Sequence, residues 1–64
     1  MIELSEGMVG KILTVVCQNG KTISGKCVSY IPAKDNEPEI DSIWIEQQKN
    51  IAEELFRTEI VSIN

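Results

Sequence analysis

The sequence contains no histidine, two cysteines, two prolines and only three aromatic residues, Tyr30, Trp44 and Phe56. Without histidine it lacks the commonest general base and a common zinc ligand. No Cys-x-x-Cys pair occurs, so zinc spacing is missing as well. No nucleophile stands next to a base, and the reading is therefore a protein that is not an enzyme, with no catalytic residue, no metal and no cofactor. Positive charge is also scarce: 6 basic residues face 10 acidic ones, for a net charge of −4. A generic nucleic-acid binder carries a basic face, and this chain does not advertise one. The apolar runs are a few residues long, too short to span a bilayer, so no membrane partner is expected. Met1 to Gly10 holds Glu3 and Glu6 and no basic residue before Lys11, unlike a secretory signal.

With 64 residues the chain is read as one domain, 1–64. A domain of that size buries only about 60% of its unfolded surface, and disulfides, metals or subunit contacts commonly make up the difference. The thiols are poor candidates for a disulfide. Asn19-Gly20 reads as a tight two-residue turn, which sets Cys17 opposite Thr22. Cys27 then lies five positions further from the turn, roughly 16 Å away, whereas a disulfide needs Cα atoms within about 7 Å. Both cysteines are read as small buried residues, and the compartment as the reducing cytoplasm. Assembly remains as the extra source of stability.

The residues that are present favour strands. Lys11 to Cys17 is rich in β-branched side chains and stops at Asn19-Gly20. A return strand runs from Lys21 to about Tyr30, with Gly25 marking a bend and Pro32 ending the pairing. Ala33 to Asp41 is a polar, acidic loop. From Ile40 to Gln47 the alternation resumes, with Ile43 and Ile45 on one face and Ser42, Trp44 and Glu46 on the other. Gln48-Lys49-Asn50 is a turn. Ile51 to Arg57 tolerates helix, but strand fits its neighbours better. Ile60, Val61 and Ile63 close the last strand. Before all of these, Leu4 to Val9 suits one helical turn capped by Ser5. Five short strands with one apolar face point to an all-β, bent five-stranded antiparallel barrel, since curling buries the face a flat sheet would expose.

Two stretches resemble the motifs of the Sm-like family of small β-barrels. Gly10-Lys11-Ile12-Leu13-Thr14-Val15 followed by Asn19-Gly20-Lys21 and Gly25 is similar to the first Sm motif. Leu55 to Ile63 is similar to the second. The loop Tyr30 to Glu39 resembles that of short bacterial and phage Sm-like proteins, which share Asp-Asn-Glu-Pro-Glu after a tyrosine. The resemblance covers about Leu4 to Asn64. It implies an Sm-like/SH3-like barrel that forms a homo-oligomer, often a ring, in which strand four of one subunit (about Ile51–Phe56) pairs with strand five of the next (about Thr58–Ile63). Leu55, Phe56, Ile60 and Val61 are the interface residues this implies.

The resemblance also implies RNA as a ligand, held by Asp35, Asn36 and Arg57. The match is incomplete: Thr58 stands where the family has glycine, and Ile31 where it has aspartate. From the residues alone, Arg57 could equally pair with Glu59, Glu54 or a neighbouring subunit. Asp35, Glu37, Glu39 and Asp41 lack the glycine and terminal glutamate of a calcium loop and read as solvated. Trp44 fits an interface or the outer barrel surface, with base stacking as the alternative. Two functions follow as expectations. The first is a self-assembling Sm-like module with RNA as a candidate ligand. The second is an interaction barrel that recruits a basic protein partner through the acidic 35–41 loop; three aromatics are too few for a proline-rich peptide groove.

Overall fold

The computed structural model describes residues 2–64. Among them five strands form one antiparallel sheet: β1 (Ile12–Cys17), β2 (Thr22–Ile31), β3 (Ser42–Gln48), β4 (Ile51–Phe56) and β5 (Ile60–Ile63). Three 3-10 turns, Glu6–Met8, Ala33–Asp35 and Arg57–Glu59, are the only helical geometry among these residues. The all-β reading holds, and the segment that tolerated helix, Ile51–Phe56, is strand. No helix among the described residues is long and apolar enough to cross a membrane.

Alternation along each strand decides which side chains meet. In β1, Leu13, Val15 and Cys17 turn inward while Ile12, Thr14 and Val16 face out. They pack with Leu4, Ile23, Cys27, Ile43, Ile45, Leu55 and Ile60 in one core cluster, and Ile2, Met8, Tyr30 and Ile63 cover its rim. Val15, Cys27, Ile43 and Ile45 are fully buried. Both thiols are free and belong to this core.

The hairpin after β1 differs from expectation by one residue. Val16, not Cys17, lies opposite Thr22. Cys17 N–H donates to Lys21 O, and Gly20 N–H donates to Cys17 O, so the loop has three residues, Gln18-Asn19-Gly20. Gly20 sits at φ 86°. That is the residue in left-handed conformation that ends a three-residue hairpin loop as a bulge. Asn19 Oδ1 accepts from Lys21 N–H at 2.9 Å and fixes the loop from within.

Strand β2 is shared between two partners. Thr22–Lys26 pairs with β1, and Lys26–Ile31 pairs with β3. A register shift between Cys27 and Ser29 leaves Val28 without a partner. Before the bulge the odd positions Ile23 and Cys27 face the core; after it the even position Tyr30 does, opposite Ile43. The consecutive apolar residues Cys27-Val28, which break a period of two, are accommodated by this one extra residue. Val28 is left exposed.

The spatial order of the strands is β4-β3-β2-β1-β5. The sheet curls enough that Leu55 of β4 and Ile60 of β5 enter the same core, yet no ladder joins β4 to β5 among the described residues. The curled all-β sheet leaves β4 and β5 as its two edges. At the N-terminus the helical turn is present, but Ser5 makes no side-chain cap hydrogen bond; only its carbonyl participates, accepting from Met8 N–H at 3.1 Å.

Candidate functional site

The polar side chains singled out from sequence gather where β3 begins. The loop from Ala33 to Asp41 folds back over the outer face of the sheet. Asn36 Nδ2 donates to Ile40 O at 2.7 Å and to Ser42 Oγ at 3.0 Å. Ser42 Oγ in turn donates to Glu54 Oε2 of β4 at 2.8 Å. Ser42 alternates onto the outer face as expected, yet it is fully buried, the one buried polar residue among the described residues. Its burial is tolerated because its hydroxyl both accepts a hydrogen bond, from Asn36, and donates one, to Glu54.

Arg57 approaches the same place from the other side. Its backbone N–H donates to Asp41 O, and its Nε donates to Asp41 Oδ1 at 2.8 Å. The ion pair is partly shielded, with 30% and 15% of the two side chains exposed. Neither Glu59 nor Glu54, the nearby acids the sequence offered, is the partner at Nε. Glu59 Oε1 instead accepts from Phe56 N–H at 2.9 Å, and Glu54 serves Ser42. Tyr30 joins the cluster next to Asp41. Its hydroxyl is held above the ordinary tyrosine pKa, first by burial, then by the charge of Asp41 and a hydrogen bond to it, and lastly by Glu6.

Of the three residues implied to hold RNA, the structure therefore engages two in anchoring the loop, Asn36 to the start of β3 and Arg57 from the end of β4. Asn36 is spent on Ile40 and Ser42, and Arg57 on Asp41. Asp35 is exposed, as are Glu37 and Glu39. Replacing Asn36 with alanine should cost roughly 2 kcal/mol, because it removes two hydrogen bonds and leaves the buried Ser42 hydroxyl without the donor it accepts from. Urea unfolding monitored by Trp44 fluorescence measures it; an unchanged midpoint would show that the loop is not anchored this way.

The residues implied for an interface divide into two kinds. Leu55 and Ile60 are buried in the chain's own core, so at these positions a second copy would meet backbone and not side chain. Phe56 is half-buried, and Val61 is 53% exposed. Trp44 lies on the outer face between Ser29 and Glu54, half-buried.

Both thiols are shifted toward the neutral form. Burial raises the pKa of Cys17, Glu59 and Glu53 raise it further, and Lys21 opposes them. Burial does the same for Cys27, against a backbone hydrogen bond at Ser29 and with a smaller contribution from Glu6. An unfolded thiol ionises near about pH 8.5, so above that the unfolded state binds fewer protons than the fold. Their contribution to stability is complete below that pH and is lost as pH climbs through the folded values. The urea midpoint should accordingly fall as pH rises above about 8.5, and a midpoint that stays level there would contradict the burial of the thiols.

Comparison with protein-family models, with curated proteins and with solved structures gives no match for this chain.

Proposed function

We propose that the chain is a non-catalytic Sm-like module that assembles with copies of itself, β4 of one copy pairing with β5 of the next. The observation that carries this reading is the pair of open edges at the two ends of one curled sheet. An unpaired edge presents a row of N–H and C=O groups, and natural proteins blunt such edges with lysine, proline or charge. Strand β5, Ile60-Val61-Ser62-Ile63, has none of these. Because the two edges are different surfaces, their contact is head-to-tail, which closes into a ring when the rotation between copies allows it. The order of the strands is the one that the Sm resemblance needs for β4-to-β5 pairing, and a chain this small gains much of its stability from such contacts. Light scattering on the eluting protein tests the proposal: assembly gives a multiple of the 7.2 kDa chain mass, and a 7.2 kDa species at micromolar concentration overturns it.

RNA enters this reading through the resemblance alone. With Asn36 and Arg57 engaged at the start of β3, it keeps only Asp35 of the three implied contacts. Polyuridine or polyadenine that shifts Trp44 fluorescence at low salt supports RNA as ligand; failure of both removes it. A second reading, recruitment of a basic protein by the 35–41 loop, is favoured by the exposure of Asp35, Glu37 and Glu39. Capture of a basic partner that is lost on neutralising Glu37 and Glu39 would select it.

A further inference from the structure

A groove of about 240 Å³ opens between the β1–β2 turn and the inner face of β4. It lies at the mouth of the curled sheet, away from the 35–41 loop. Its floor is apolar, formed by Cys17, Ile23 and Leu55, all from the core. Its rim carries two carboxylates and one ammonium, Glu53, Glu59 and Lys21. The volume falls below the roughly 300–1,000 Å³ of small-molecule pockets and suits one long side chain.

We propose that this groove receives a basic side chain, lysine or arginine, from a partner protein, its aliphatic stem on the Cys17-Ile23-Leu55 floor and its cationic head at Glu53 and Glu59. Long basic side chains bury their stems along apolar surface and keep their heads at a polar rim, which is the arrangement found here. The rim is net negative, and the field reaches the floor: at the Cys17 thiol the two glutamates act together against Lys21. The chain as a whole has a net charge of −4, which favours a basic partner over a second copy.

Lys21 already occupies part of the site. Its Nζ lies 3.4 Å from Glu53 Oε1, with 54% and 38% of the two side chains exposed. An ion pair that open to water holds weakly, so an incoming cation can displace it. Lys21 thus acts as a built-in competitor, and this gives the proposal two variants of opposite sign. The inference does not depend on β4-to-β5 assembly, because the groove is formed within one copy.

Titration of the ¹⁵N-labelled full chain with a blocked Ala-Lys-Ala-Lys-Ala peptide at low salt tests it. Amide shifts are expected at residues 17–23 and 53–59, with affinity about threefold weaker in Glu53→Gln and about threefold tighter in Lys21→Gln. The norleucine and glutamate versions of the peptide should leave these amides in place. Should Glu53→Gln lose its dispersed spectrum, Lys21→Gln decides the matter, since its pair is exposed. Shifts centred on residues 35–39, equal shifts from the norleucine peptide, or weaker binding by Lys21→Gln would each overturn the proposal. Light scattering on the same samples reports assembly separately.

Discussion

Gly25→Ala should lower the stability of the fold by roughly 3 kcal/mol, the largest single effect expected from so small a change. Gly25 lies on β2 between its two partners, opposite Leu13 of β1 and one residue before Lys26, which pairs with Glu46 of β3. A Cβ there would collide with the carbonyl oxygen of Glu46, lie 2.8 Å from its carbonyl carbon and 3.0 Å from Cγ2 of Ile45. Two of these atoms are backbone, and Ile45 is fully buried, so nothing nearby is free to swing aside. Relief requires β3 to move away from β2, where β2 passes from β1 to β3. For a domain of this size each kcal/mol is worth about 4–8 °C, so the melting temperature should drop by roughly 12–24 °C. Gly7→Ala serves as the control, since its Cβ would meet only Ser5 Oγ at 3.6 Å, an ordinary contact. Equal melting temperatures for Gly25→Ala and the parent would show that β2 and β3 do not approach so closely.

Val61→Lys should abolish or severely weaken self-association while leaving the single copy folded. Val61 sits on the β5 edge in the register shift against β1, with 53% of its surface exposed. Since it packs against little within its own chain, the substitution should change the stability of one copy by no more than about 0.5 kcal/mol. In an assembly the same lysine would bring a charge to an edge that now carries none, the device by which natural sheets discourage edge pairing. Sedimentation velocity of the variant should show the single chain at concentrations where the parent assembles, with an unchanged circular dichroism spectrum. An assembly of undiminished strength would exclude β5 as the contact.

Much of the fold was legible because its signals are local. The β-branched run before Asn19-Gly20, the alternation around Ile43 and Ile45, and the glycine at position 25, where β3 comes close, each lie within one strand, and each has a direct physical meaning. What escaped depends on relations between segments. Asn-Gly suits a two-residue turn and also the end of a three-residue loop; the choice between them slips β2 by one residue, and only the packing of Ile23 and Cys27 into the core settles it. Curling follows from the need to cover one apolar face, and among the described residues it leaves β4 and β5 as separate edges.

The candidate site was less legible than the fold. Arg57 has acids at positions 54 and 59, which proximity in sequence favours, yet its Nε pairs with Asp41, sixteen residues away. The link between Asn36, Ser42 and Glu54 is equally invisible locally, because alternation alone puts Ser42 on the outer face and does not show that it is buried there. One signal was available: a loop that begins at Pro32 and holds Asn36 must return to β3, and an asparagine in such a return commonly serves the backbone.

The most direct measurement of the central claim is an isotope-filtered NOE experiment on assemblies mixed from ¹⁵N-labelled and ¹³C-labelled chains. Strand pairing between copies predicts cross-peaks from amides of Glu53, Glu54 and Leu55 in one chain to Hα protons of Ile60–Ile63 in the other. An assembled sample whose intermolecular contacts fall elsewhere, with both edges silent, would contradict the account.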